Sequence, residues 1–292
     1  MIKLLHGLFI ATLLFSTLAY SDERKIVDLV LPTKNVELDT LSQKITDNPY
    51  FIVHTYTNKL PEEQNKGNIL VVVSDKLLPL LTEKEYNAKF AFYVNSNEYL
   101  KFETDETTAL FSDQPLSRQL SLIKAITENK DIQVGIAYKN KKYKSEIDGI
   151  MENYPSMTIT SEKIDDLNVI RSINKTIQNN DVLLSTSEND IYNSKTVRSI
   201  LLSSYRHQTL VIGPTEGFVT AGALGTVFST TDQYTQDIVS MLKNYLDTNI
   251  LPKPQYPSMF NVKINYSVAE SLGLIIPSEK ELSSKIIIEG VK

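Results

Sequence analysis

Few side chains in this sequence are equipped for bond-making chemistry. Beyond the first twenty residues it holds two histidines, His54 and His207, far apart and each beside or inside a predicted strand, and it has no cysteine at all. Thiolate metal sites, disulfides and Cys–His nucleophiles are therefore excluded, and no serine, histidine and acid fall at a spacing that marks a triad. The acid pairs Asp165–Asp166 and Glu188–Asp190 read as solvated loop charge. Neither G-x-x-x-x-G-K-[ST] nor G-x-G-x-x-G occurs, and "GPTEG" at 213–217 lacks the lysine and following hydroxyl that cradle phosphate. What remains is recognition by hydrogen bonding. Polar residues recur immediately after apolar runs: Ser74 and Asp75, Asn95, Asp113, Tyr138, Ser187 and Glu188, Thr215 and Glu216. Any one of them can simply cap the helix that follows. Together they would line a cleft, because ligands of open α/β sheets bind beyond the carboxyl ends of the strands. Tyr93, Tyr99, Tyr138 and Tyr192 would add aromatic walls.

The elements that must position these residues alternate along the chain. Strand-like runs occupy 25–31, 50–56, 68–74, 89–95, 108–112, 132–138, 181–186, 209–213 and 223–229, with helical patterns at 115–130, 166–180 and 231–249 between the later ones. In 115–130, Leu116, Leu120, Ile123 and Ile126 fall near helical spacing, Pro115 suits a first helical position, and Asp113 or Ser112 suits the cap. Such alternation predicts parallel sheets wound with helices on both faces. The 292 residues accommodate two such units. We expect two doubly wound α/β lobes with a ligand cleft between them, one lobe formed by 22–112 plus about 224–250, the other by 113–223 plus about 251–292. A proline-bearing stretch at 247–259 reads as an extended connection, followed by a last strand at 260–266 and a short helix. Four of the ten glycines fall within 213–230, which marks tight turning or close backbone approach there.

At the N-terminus a lysine, an apolar run from Leu4 to Leu18 and small residues around Tyr20 have the layout of a secretory leader cleaved before Asp22. That run is shorter than the roughly 20 residues a membrane span needs. A periplasmic, non-lipidated product without membrane insertion is expected, and the net charge of −5 with interspersed signs argues against nucleic acid as a partner.

From about Asn68 to Pro277 the order of four stretches, "FSDQPLSRQLSLIKAITENKDIQVGIAYKN", "NNDVLLSTSENDIYN", "LVIGPTEGFVTAGALGTVFST" and "FNVKINYSVAESLGLIIP", resembles the ABC-transporter substrate-binding proteins of the type I periplasmic-binding fold, in the branch that includes aromatic amino acid binders. The resemblance implies two lobes joined by hinge crossings, a small ligand between them, an inner-membrane permease as partner, and neither cofactor, metal nor enzymatic turnover. For an amino acid ligand, Asp75, Asp113, Glu188 or Glu216 would face the ammonium group, and Ser74, Ser187 or Thr215 the carboxylate. By the same resemblance Gly222 and Gly225 turn the backbone, and Gly213 and Thr215 come near the ligand. A sensor that signals its closed state to a membrane receptor, without transport, is the alternative, since the segment before Asn68 is compressed relative to the family.

Overall fold

The computed structural model describes residues 24–290 except 84, 129–130 and 165–166. The expected leader, residues 1–21, and the pair Asp165–Asp166 lie outside the described residues. The first sheet contains β1 (Ile26–Leu31), β2 (Ile52–Thr57), β3 (Ile69–Val73), β4 (Ala88–Val94) and β5 (Thr107–Phe111), all parallel in the order β2-β1-β3-β4-β5. The second contains β6 (Ile132–Tyr138), β7 (Met157–Lys163), β8 (Val182–Ser185), β9 (Leu210–Ile212), β10 (Gly225–Phe228) and β11 (Asn261–Ile264), in the order β11-β10-β9-β8-β6-β7. Its strands are parallel except for the β10–β11 pair.

Both sheets are covered on both faces, and this is why the central strand β3 reads as an unbroken apolar run. Every residue of β3 ("ILVVV") and β5 is buried. On one face of the first sheet lie α1 (Val36–Thr46) and, from much later in the chain, α8 (Thr231–Thr248), which contribute Leu41, Ile45, Ile238, Met241 and Leu242 to the core. The other face takes the segment Asp75–Thr82 through Leu77, Leu78 and Leu81. That segment is a 3₁₀ helix holding Pro79, whose missing N–H and ring are poorly suited to an α-helical interior. Between β4 and β5 comes the single turn α2 (Ser96–Tyr99). The second sheet is flanked by α3 (Leu116–Thr127), α4 (Lys141–Ile150) and α10 (Glu279–Gly290) on one side, and by α5 (Val169–Gln178), α6 (Val197–His207) and α7 (Glu216–Ala221) on the other; α9 (Tyr266–Ser271) follows β11.

The lobe boundaries differ from the expected ones. Residues 225–228 do not return to the first lobe: β10 pairs with β9 and β11 in the second sheet, so the crossing falls after Phe228 and only α8 belongs with lobe 1. The connection that follows α8 also stays on lobe 1. Gln255 bridges to Leu110 at the edge of β5, and the chain re-enters lobe 2 at β11. The start of α3 is likewise built differently from the cap expected. Pro115 occupies the position before the first helical residue, and the Leu116 N–H is satisfied by Glu146 Oε1 of α4 at 2.9 Å, which leaves Asp113 for another task. The glycine cluster has two uses. Gly222 ends α7 at φ +124°, a conformation that side chains rarely adopt, whereas at Gly225 a Cβ would stand 2.8 Å from Ile264 Cδ1 and 3.0 Å from the Lys263 carbonyl of the paired strand.

Candidate functional site

Three neighbouring strands of lobe 1 end at the cleft, and their loops lean over the end of the middle one. Asp75, just past β3, accepts a hydrogen bond from the Asn95 N–H through Oδ1 at 2.7 Å. Asp113, just past β5, accepts from the next amide, Ser96 N–H, at 2.8 Å, and from Ser96 Oγ at 2.7 Å. Two carboxylates from the strands flanking β4 are thereby held by consecutive amides of the β4–α2 turn. Asn95 itself is the cap of α2, its Oδ1 accepting from Asn97 N–H at 2.9 Å.

On lobe 2 the long loop after β8 does most of the shaping. Glu188 accepts from the N–H groups of Lys139 and Asn140 and from Thr186 Oγ1, tying the ends of β6 and β8 together. The Ser187 N–H donates to Tyr143 Oη at 3.2 Å. Tyr192 donates its Oη to the Ala137 carbonyl at 3.1 Å, so its ring packs with its polar end already occupied, edge-on to Phe218 with centroids 6.4 Å apart. Across the cleft, Asn95 Nδ2 donates to the Ser187 carbonyl at 2.9 Å, joining the two lobes directly.

Between these loops lies a cavity of about 490 Å³. Of the residues expected at the site, Asp75, Asn95, Asp113, Ser187 and Thr215 line it. A second compartment of about 610 Å³ shares Asp75, Asn95 and Ser187 with the first and adds Glu188, Asn97, Lys101 and Lys139. Three expected residues lie outside both. Ser74 turns its hydroxyl to the Lys76 N–H at the start of the 3₁₀ segment. Tyr138 is packed into the core beneath the sheet. Glu216 pairs with Lys263 at 3.2 Å on the exposed first turn of α7. Of the four tyrosines proposed as walls, Tyr192 alone lines the cavity among the described residues; Tyr99 is buried against Thr107, and Tyr93 stacks on Tyr234 at 4.0 Å. Gly213 is set back as well: a Cβ there would stand 2.5 Å from Phe218 Cβ, so this glycine lets α7 pack closely on the strand end.

The sequence reading missed Asn193, Ser194, Val197, Phe218 and Ala221, which line the same cavity. Their signal was present but indirect. The 18 residues from Leu184 to Leu201 include an unusually polar run for a βα connection, and its end is the start of a helix that the pattern analysis did not mark.

Burial pushes the carboxyls of Asp75 and Asp113 above the usual carboxylate range, and the hydrogen bonds from Asn95 and Ser96 only partly offset this. Glu188 is raised for the same reason. Asn97 is buried at 4% exposure, with neither end of its amide hydrogen-bonded to any described residue. No cluster of His, Cys, Asp and Glu suited to a metal ion occurs among the described residues, and no described helix is long and apolar enough to cross a membrane. The site has the means to hold a small molecule by hydrogen bonds, charge and apolar contact.

No family model and no curated protein matches the sequence. Solved structures do match its fold. A ligand-free, open substrate-binding protein with adhesive properties from Clostridium difficile superposes with a TM-score of 0.65 at 14% identity, covering 89% of this chain and 98% of its own. An ABC domain in complex with L-Trp from Streptococcus pneumoniae gives 0.59 at 14% identity, with the same coverage of both chains. A conserved domain protein from Vibrio cholerae gives 0.59 at 15%, covering 90% of this chain and 98% of its own. The fold is that of the type I periplasmic binding proteins, with two parallel-dominated α/β sheets facing one cleft.

Proposed function

We propose that the protein is an extracytoplasmic solute-binding protein: it captures a small ligand between its lobes and presents it to an inner-membrane ABC permease. The observation that carries this reading is the inter-lobe cavity itself, bounded on both sides by loops from the carboxyl ends of the sheets, where open α/β sheets bind ligands. The likeness in fold to a substrate-binding protein and to a chain crystallised with L-Trp supports it. Asp75, Asn95, Asp113, Ser187 and Thr215 contact the ligand, which is an amino acid or a related polar or aromatic solute. The protein binds this solute without converting it. Residues 1–21 direct export to the periplasm and are then removed.

The test is a thermal-shift screen against amino acids, amines, sugars, nucleosides and small organic acids. A ligand at 100 times its dissociation constant adds about 2.7 kcal/mol, which raises the melting temperature of a chain this size by roughly 4–5 °C. A selective shift of that size is expected. A cooperative melt that no compound moves would overturn the reading. Delivery is tested by deleting the gene, after which uptake of the bound solute is expected to fall.

A further inference from the structure

The charge of the cavity is one-sided. Among the described residues that line it, Asp75 and Asp113 are the charged ones, and no lysine, arginine or histidine joins them. Neither carboxylate makes an ion pair with a described residue: Lys101, whose charge acts on Asp75, is bound to Glu98 at 2.6 Å, and Lys142 lies over the ring of Phe111 at 5.6 Å. Asp113 is 7% exposed. An ionised carboxylate offers about four lone-pair sites. Consecutive amides and one hydroxyl occupy one on Asp75 and two on Asp113, so both retain acceptor capacity.

The side of the cavity that lobe 2 contributes carries no charge and joins apolar surface to the amides and hydroxyls of Ser187, Asn189, Asn193, Ser194 and Thr215. Phe218, Val197, Pro214 and Ala221 form the apolar part with the ring of Tyr192, whose hydroxyl is already committed to Ala137. Such a surface suits a ring or a branched hydrocarbon, and aromatic faces also attract a cation. A sugar, hydroxylated on every side, would leave the donors and acceptors that face this apolar part unpaired. A free carboxylate on the ligand would enter a partly desolvated space that already carries two negative groups and no cation.

We propose that the ligand is an organic cation: an ammonium group set between Asp75 and Asp113, an aromatic body against Tyr192 and Phe218, and no carboxylate. This rests on the solute-binding reading and narrows it, since it selects aromatic amines over both zwitterionic amino acids and sugars.

Isothermal titration with four probes tests it: phenethylamine, phenylalanine, 3-phenylpropionate and ribose. They share or lack the ring, the ammonium and the carboxylate in known combinations. Phenethylamine is expected to bind at least tenfold more tightly than phenylalanine, with no detectable binding of phenylpropionate or ribose. Asp75→Asn keeps an acceptor for the Asn95 amide and is expected to melt cooperatively while weakening phenethylamine at least tenfold. Phenylalanine, phenylpropionate or ribose binding as tightly as the amine would overturn the cation and leave the solute-binding reading intact. An Asp75→Asn chain that melts cooperatively and binds the amine unchanged would do the same. If none of the four binds, the inference falls, and the broad thermal-shift screen alone decides whether the chain binds solutes.

Discussion

The two places where the lobes meet are built in opposite ways. At the hinge, the three crossing segments are stitched to one another. Gln114 of the first donates to Ser229 Oγ of the second at 2.8 Å, and Ser229 donates on to the Met259 carbonyl of the third at 2.6 Å. Arg118 reaches back to Gln114 Oε1 at 2.8 Å and to the Pro257 carbonyl at 2.6 Å, with its guanidinium over the ring of Phe260. Ser258 is held by both oxygens of Asp237 from α8. At the mouth, by contrast, the lobes are joined through loops, by the Asn95 side chain and the Ser187 carbonyl. A network of shared partners resists separation because breaking one bond orphans buried groups in the next. A single bond between loop residues is worth about 1 kcal/mol, small enough for a ligand to bias. The contrast fits a molecule that opens at the mouth and keeps its crossings bound together.

The largest effect is expected where the stitching converges. Arg118→Ala removes two hydrogen bonds from a cation and leaves Gln114 Oε1 and the Pro257 carbonyl without that partner. Losses of this kind cost about 2–3 kcal/mol, so calorimetry should find the melting temperature lower by roughly 4–5 °C. Gln114→Ala cuts the link to Ser229 and is expected to cost about 1–2 kcal/mol, and the double variant with Ser229→Ala is expected to lose less than the two single losses summed, since their shared bond is lost only once. Fully additive losses would show that the crossings act independently and would break the comparison.

The cleft carboxylates differ from the hinge groups in how they respond to acid. Desolvation is the main cause that lifts Asp75 and Asp113, aided at Asp75 by Glu98 and opposed by Lys101, and opposed at Asp113 by Lys142. Above the ordinary carboxylate value near 4, the folded chain therefore holds more protons on these groups than the unfolded chain does, and their contribution to stability falls as pH rises through the raised values. Asp75→Asn removes one such group. Without ligand it should melt above the wild type at neutral pH, and that advantage should shrink as pH falls toward the ordinary carboxylate value near 4 and the wild-type carboxyl takes up its proton. A gap that does not narrow would mean that Asp75 stays ionised throughout this range.

Most of the architecture was legible because buried parallel strands announce themselves: β3 is an unbroken apolar run, and β8 is one up to its last residue. The elements that escaped are those whose polar surface dilutes the pattern. The edge strand β7, "MTITSEK", buries only alternate residues at its start, and α4, "KKYKSEIDGI", buries just Tyr143 and Ile147. The crossing after β10 was misplaced for another reason: nothing local in "GTVF" distinguishes a strand that pairs in lobe 2 from one that leaves for lobe 1. That choice is made by the antiparallel partner β11, more than 30 residues on. At the cavity, the residues read from strand ends include several that line it, whereas those deep in the 186–197 loop that also line it were not read. Ser74, Tyr138 and Glu216 turn away from the cavity, and position after a strand gives no information on which way a side chain turns.

The smallest effect on stability carries the most information about motion. Asn95 does two jobs, capping α2 through Oδ1 and bridging to Ser187 through Nδ2. Serine caps a helix about as well as asparagine but is too short to span the cleft, so Asn95→Ser separates the two roles without adding charge. The variant is expected to melt within about 2 °C of the wild type, since the cap is kept and the lost bridge is worth about 1 kcal/mol at most. The same loss biases the lobes toward opening, and by linkage it weakens a ligand that requires closure by about fivefold. Small-angle scattering should then give a larger radius of gyration for the ligand-free variant, with saturating ligand restoring the wild-type value. If scattering and affinity are both unchanged, the bridge does not hold the mouth closed, and the hinge network alone sets the distance between the lobes.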